Sequence, residues 1–172
     1  MNQPRRLIAI VLAWNLAVAG FVHAAPSSTA GAHAFLDAIY KHYPTVDTAG
    51  AFDPVGADAA EVFTPGLVRL IRADQARAKG EVGALDGDPL CDCQDDGGMR
   101  ADIGAVTVVG PGVARAVVTL TFAGTTPPDV RHLLVRLALT RTGWRIDNIA
   151  GQNEPSLRAL LKQPAGGADE AR

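Results

Sequence analysis

The chain has 172 residues, of which 48% are hydrophobic and 20% charged, and its formal net charge is −2. This composition is typical of a folded domain rather than a disordered chain, and the weak charge argues against binding to nucleic acid or to an anionic membrane. A chain of this length buries about two-thirds of its unfolded surface, so it can fold without a metal or a disulfide.

The first segment has the three parts of a secretory signal peptide. Arg5 and Arg6 give the positive start, the apolar run 7–22 follows, and small residues around Ala24 form a cleavage site. The run is shorter than the ~20 residues that a membrane-spanning helix needs. We therefore predict cleavage after Ala24 (signal peptide 1–24), a periplasmic or secreted mature chain, and no membrane span. Loss of the two arginines leaves 14 basic against 18 acidic residues, a net charge of −4.

Helical signals come first in the mature chain. Residues 25–31 are predicted to form a flexible start, and from Ala32 to Tyr43 the apolar residues recur every three or four positions, which predicts a helix with one apolar face. A loop rich in Gly, Pro and Asp follows over 45–58. Thr64-Pro65 is typical of a helix start, with the hydroxyl as N-cap, and this second helix runs to about Lys79.

Beyond an acidic loop over residues 85–98, the pattern changes to strands. Four strands joined by short turns are predicted at Ala105–Val109, Val113–Phe122, Val130–Thr140 and Trp144–Ile149. A short helix begins at Pro155, and the tail 163–172 is predicted to be disordered. Helices followed by consecutive strands favour one α+β domain over 32–162, in which N-terminal helices pack on a curved antiparallel sheet.

The two long predicted strands each have two different faces. In the later strand, one face carries Leu133, Val135, Leu137 and Leu139, whereas the other mixes apolar residues with His132 and Arg136. The earlier strand alternates in the same way between Val or Leu and Arg or Thr. This alternation predicts that one side of the sheet packs on the helices while the other bounds a cavity or a partner.

Several of these segments together resemble the DUF3828 family of bacterial envelope proteins. The resemblance rests on Leu85-Asp86-Gly87-Asp88-Pro89 with Gln94-Asp95, on the strands that follow, and on Trp144-Arg145-Ile146-Asp147-Asn148-Ile149. It covers about Phe35 to Leu161, and Cys91 and Cys93 depart from the family's pattern. The resemblance implies an exported NTF2-like (cystatin-like) domain, in which a helical layer folds against a strongly bent antiparallel sheet. It implies no reaction.

Cys91 and Cys93 are the two cysteines of the chain, separated by one residue. Two cysteines in an exported protein are usually oxidised together, so a disulfide is predicted. The small ring favours a reducible bond and hence a thiol–disulfide redox function. The acids around it oppose thiolate formation and favour a static clamp on the loop. Both interpretations stay open at this point.

The acidic loop is the main candidate for a binding surface. Its predicted binding residues are Asp86, Asp88, Asp92, Gln94 and Asp95, together with Arg69 and Arg72 on the preceding helix. The structural alternative is that the acids cap turns and that one of them pairs with an arginine of that helix. The loop does not satisfy a calcium-binding EF-hand, because a glycine stands where the last glutamate is needed. The histidines are too scattered for a metal motif, and neither a metal nor a cofactor is predicted.

The sheet provides the second candidate site. NTF2-like cones can use an acid and a base inside the cavity, and the residues that would serve here are His132, Arg136, Trp144 and Asp147. A hydrolase nucleophile motif of the form Gly-x-Ser-x-Gly does not occur. The leading prediction is therefore a non-enzymatic module that binds another protein, either as an inhibitor or immunity factor against a toxin or within an envelope assembly. The alternatives are a cavity protein that binds or converts a small ligand, and a redox protein.

Overall fold

The computed structural model describes residues 28–43, 53–94, 98–124, 126–152 and 155–163. The predicted signal peptide and its cleavage site lie outside these residues, as do most of the flexible start, the tail beyond 163 and Asp95 of the predicted binding loop. Within the described ranges, no helix is both long and apolar enough to cross a membrane.

The described helices are α1 (Thr29–Tyr40), α2 (Ala59–Val62), α3 (Pro65–Ala78) and α4 (Leu157–Leu160). α1 begins earlier than the apolar spacing predicts, because the Ser28 hydroxyl accepts a hydrogen bond from the Gly31 amide and caps the helix. Residues 29–31 therefore belong to α1 rather than to a flexible start. α3 begins as predicted: Thr64 Oγ1 accepts a hydrogen bond from the Leu67 amide, and the helix ends at a left-handed Lys79.

One antiparallel sheet contains the described strands: β1 (Arg100–Ile103), β2 (Thr107–Gly110), β3 (Val113–Phe122), β4 (Asp129–Thr140) and β5 (Gly143–Ala150). The strand order is β1-β3-β4-β5, and β2 pairs with the same edge of β3 as β1. The predicted α+β class is confirmed. β1 is not predicted from the sequence, because half of its four residues are charged and it is too short to show a pattern.

The pairing of β3 with β4 gives the sheet two distinct faces. Val118 lies opposite Leu133 on the inner face, which packs on the helices, and Val117 lies opposite Leu134 on the outer face. The inner-face residues are buried with the apolar sides of α1 and α3 in one core. These residues are Ala114, Ala116, Val118, Leu120, Leu133, Val135 and Leu137. The predicted alternation along both strands is thus confirmed.

A buried carboxylate fixes the turn that follows α3. Asp74 is only 2% exposed, and it accepts hydrogen bonds from the backbone amides of Ala84 and Leu85, each at 3.1 Å. The Arg77 guanidinium donates to the same carboxylate at 3.1 Å, and it also donates to the carbonyl of Leu161, the residue that follows α4, at 2.7 Å. A Cβ at Gly83 would overlap the carboxylate, so glycine is needed there. Since a buried charge is tolerated only when it is paired and hydrogen-bonded, Asp74 holds this turn against α3.

We predict that Asp74→Ala lowers the free energy of unfolding by about 3 kcal/mol, because two backbone amides lose a charged acceptor. Urea unfolding followed by circular dichroism measures the change. Glu81→Ala removes an exposed carboxylate from the same turn and serves as the control, with an expected change below about 0.5 kcal/mol. Equal unfolding midpoints for the two variants would contradict this role of Asp74.

Candidate functional site

Two tyrosines, one at the C-terminal end of α1 and one three residues beyond it, hold the acidic loop in place. The Tyr40 hydroxyl donates to the Leu90 carbonyl at 3.0 Å, and the Tyr43 hydroxyl donates to Asp88 Oδ2 at 2.5 Å. The other oxygen of Asp88 accepts a hydrogen bond from the Leu90 amide at 2.8 Å, and the Asp88 amide donates to the Cys93 carbonyl at 2.8 Å. The Asp88 carboxylate is therefore engaged inside the loop and holds its shape.

The environment of Tyr40 keeps its hydroxyl protonated. Burial, and to a smaller extent the nearby negative charge of Asp88, raises the pKa of this hydroxyl far above its usual range. A protonated hydroxyl can donate, and its acceptor is the carbonyl of the buried Leu90. Tyr40 thus acts as a permanent anchor for the loop.

Cys91 and Cys93 form the predicted disulfide, with their Cα atoms 5.1 Å apart. Cys91 is 1% exposed and Cys93 is half-buried, so an incoming thiolate would reach the Cys93 sulfur and release the Cys91 sulfur as the leaving group. The Cys91 sulfur lies 3.5 Å from the Asp88 carbonyl oxygen and 3.7 Å from the Cys93 carbonyl oxygen. Both oxygens carry partial negative charge and disfavour a thiolate at this position, which favours the static clamp over the redox interpretation.

Asp92, between the two cysteines, is also directed into the protein. Its backbone is left-handed, with a φ of 52°, and its Oδ2 atom is buried without a hydrogen-bond partner among the described residues. A Cβ at Gly151 would lie 2.9 Å from that oxygen. The Asp92 carbonyl accepts a hydrogen bond from Arg131 of β4, which pairs with Asp129 at 2.7 Å and stacks on Phe122. Asp92 therefore joins the loop to the ends of β4 and β5.

The other predicted binding residues do not form one surface. Asp86 and Gln94 are exposed, and the Gln94 amide donates to the Asp86 carbonyl at 3.5 Å. Arg69 and Arg72 are exposed on α3, and no salt bridge within the described residues joins them to the loop acids. Asp86 lines an open groove of about 490 Å³ beside α3, whose lining includes neither arginine. Among the predicted loop residues that the structure describes, Asp86 and Gln94 are the ones with exposed side chains.

Of the four residues of the cavity alternative, the structure brings together Arg136 and Asp147, and it separates His132 and Trp144 from them. Trp144 is buried in the core, whereas His132 is exposed on the outer face and is hydrogen-bonded to Thr119 Oγ1 at 3.2 Å. Arg136 is four residues from His132 on β4, which corresponds to about 13 Å along a strand. Asp147 lies beside Arg136 rather than His132. The structure thus places the predicted acid and base too far apart for direct proton transfer.

Asp147 is instead the centre of an ion-pair network. It is the extra residue of a β-bulge, since Arg136 pairs with Asn148 and Leu137 with Ile146. Asp147 Oδ1 accepts hydrogen bonds from Thr64 Oγ1 at 3.1 Å and from Arg158 at 2.9 Å, and Oδ2 lies 3.5 Å from Arg136 Nε. This carboxylate joins the start of α3, α4 and the outer face. Sequence spacing provides no signal for it, because Thr64 lies 83 positions away.

The outer face of the sheet carries exposed apolar side chains near its middle. Val117 and Leu134, directly opposite each other on β3 and β4, are 46% and 45% exposed. On one side of this pair, Arg115 lies opposite Arg136, and on the other side Thr119 lies opposite His132. Exposed apolar side chains that are grouped and bordered by polar ones are typical of interaction surfaces. The described residues contain no cluster of three or more potential metal ligands.

Comparison with known proteins gives one informative similarity. The chain is 30% identical over 154 residues to the uncharacterized protein YqhG of Escherichia coli (strain K12). The aligned region is 88% of this chain and 48% of the relative, so the chain spans about half the length of the curated relative it matches. No protein-family model matches the sequence, and no solved structure is significantly similar to it. The resemblance to DUF3828 therefore stays a prediction.

Alkaline titration tests the Tyr40 anchor. Because the pKa of this hydroxyl is raised in the folded state, its contribution to stability is complete at neutral pH and is lost as the pH rises above about 10, where the unfolded chain ionises first. In a Tyr43→Phe variant Tyr40 is the one remaining tyrosine, so phenolate absorbance reports on it alone. We expect this absorbance to rise only together with loss of the circular dichroism signal. Ionisation near pH 10 in a folded chain would contradict the assignment.

The disulfide is expected to contribute modestly to stability. Its ring spans only residues 91–93, so closing it removes little entropy from the unfolded chain, and Cys91→Ser with Cys93→Ser should cost about 1.6 kcal/mol. Urea unfolding of this variant, compared with the native chain in the presence of a dithiol reductant, measures the cost. Equal stability of the oxidised, reduced and serine forms would contradict the clamp and revive the redox interpretation.

Proposed function

We propose that this chain is an exported, non-enzymatic protein-binding module of the bacterial periplasm, and that it recognises its partner through the outer face of the sheet. The exposed Val117–Leu134 pair carries the proposal. Export is supported by the signal-like first segment, and the Cys91–Cys93 disulfide fits an oxidising compartment. The partner classes that suit such a module are a toxin, which it would inhibit as an immunity factor, and a component of an envelope assembly.

The position of the apolar pair favours a protein partner over a small ligand. Val117 and Leu134 lie opposite each other on the two long strands, both are nearly half exposed, and neither lines the groove beside α3. Each is about half exposed, so burial by a partner would contribute about 1 kcal/mol per side chain. An apolar centre with a polar border is typical of protein–protein interfaces.

The geometry of the loop favours the sheet over the loop as the binding surface. Asp88 is bonded to Tyr43 and to the Leu90 amide, and Asp92 directs its carboxylate inward. A plug for a basic cleft would need these carboxylates on the outside. The cavity alternative is less well supported, because His132 and Asp147 are far apart and the inner face is filled by packed Leu and Val side chains.

The test is affinity capture from an envelope extract with the immobilised chain beginning at Ala25. We predict that the double variant Val117→Ser/Leu134→Ser captures at least about tenfold less of the partner protein than the native chain does. Truncation of residues at the centre of an interface typically weakens binding by this much. Val82→Ser is the matched control, since Val82 is 73% exposed but lies in the turn after α3. Each variant is used only if its thermal unfolding midpoint equals that of the native chain.

The loop is tested separately by Asp86→Ala. A joint replacement of Asp86, Asp88 and Asp92 would also remove contacts that hold the loop, whereas Asp86 is exposed and can be changed alone. Capture that is abolished by Asp86→Ala but unaffected by the double serine variant would contradict the proposal and assign binding to the loop. Capture that is unaffected by all of these variants would contradict both surfaces.

A further inference from the structure

Two arginines lie side by side on the outer face, and the acidic groups near them do not balance their positive charge. Arg115 of β3 is directly opposite Arg136 of β4, which places their Cβ atoms about 5 Å apart. Like charges in this position destabilise a sheet unless an anion lies between or beside them. The two arginines lie next to Val117 and Leu134, so they belong to the surface that we propose for binding.

The strand neighbours of Arg115 carry no negative charge. Across the other edge of β3 it faces Thr107 of β2, and along its own strand the neighbours on the same face are Val113 and Val117. The acid on this face of β1, Asp102, lies opposite Thr119, four residues further along β3, which is about 13 Å away. Arg115 is therefore not neutralised by its neighbours in the sheet.

The partner of Arg136 is shared with another arginine. Asp147 Oδ2 lies 3.5 Å from Arg136 Nε, but Asp147 Oδ1 is bound more closely by Arg158 at 2.9 Å and by Thr64. Two guanidinium groups, those of Arg136 and Arg158, thus share one carboxylate, and Arg115 has no acid among its strand neighbours. The local excess is positive although the whole chain is acidic.

We propose that Arg115 and Arg136 together bind a carboxylate side chain of the partner protein, while Val117 and Leu134 receive an apolar side chain next to it. Guanidinium groups suit this ligand because their planar donors match the two oxygens of a carboxylate. This inference rests on the proposed function and adds the chemistry of the partner.

The strand geometry also sets the spacing of the partner's residues. Arg115 and Val117 are two residues apart on β3, as are Leu134 and Arg136 on β4, which corresponds to about 7 Å. An extended partner segment that lies along these strands has the same spacing between alternate side chains. The recognised segment therefore contains an Asp or Glu two positions from a Val, Ile, Leu or Phe.

Selection from a random peptide library on the chain beginning at Ala25 tests this inference. The native chain is expected to enrich peptides in which an acid stands two positions from an apolar residue. With Arg115→Gln/Arg136→Gln, the enrichment of the acid should fall to the library background while that of the apolar residue persists. The best synthetic peptide should bind this variant at least about tenfold more weakly, as for loss of a charged hydrogen-bonded pair.

Arg141→Gln/Lys162→Gln is the matched control, because it removes two exposed positive charges away from the outer-face pair and should leave the selection unchanged. If the double glutamine variant is less stable than the native chain, Arg115→Gln alone provides the comparison. Enriched peptides that are apolar but not acidic, or acid enrichment that survives the glutamine changes, would overturn the inference and leave the proposed function standing. If no selected peptide depends on Val117 and Leu134 for binding, both the inference and the proposed function would be overturned.

Discussion

The pairing register of β3 with β4 is the constraint on which the rest of the structure depends. It runs without interruption from Val113 opposite Ala138 to Phe122 opposite Asp129. Because side chains alternate along a strand, a slip of β4 by one residue would move Leu133 out of the core and turn Arg136 into it. The same register that completes the core therefore also places Val117 and Leu134 outward. The surface proposed for binding is a direct consequence of how the core is built.

The acids of this chain show how burial changes the role of a charged residue. Asp74, Asp88 and Asp92 lie in or beside the loop segment, yet each directs its carboxylate toward backbone amides, a tyrosine or the protein interior. A carboxylate that organises a turn is bound by the groups of that turn and has few remaining acceptor positions for a partner. Acidic composition in a loop is thus compatible with a structural role, and the open sheet face becomes the better candidate for recognition.

Local periodic signals explain most of what the sequence predicts correctly. α1, α3, β3, β4 and β5 have apolar spacing or caps that act within a few residues, and the disulfide follows from two adjacent cysteines. β1 and α2 are too short to show a period. The hydrogen bonds and ion pairs of Asp147, and the hydrogen bond between Tyr43 and Asp88, join residues that are 11 to 83 positions apart. Such contacts depend on the completed fold. Both candidate sites were therefore only partly predictable from the sequence.

The most direct test of the account is site-specific photo-cross-linking in the bacterial envelope. A benzophenone amino acid is placed at Leu134 on the outer face, at Asp86 on the loop and at Val82 in the turn after α3, all of them exposed positions. The account predicts a covalent adduct with another protein from position 134 and none from positions 82 and 86. An adduct that forms from position 86 but not from position 134 would contradict recognition by the sheet.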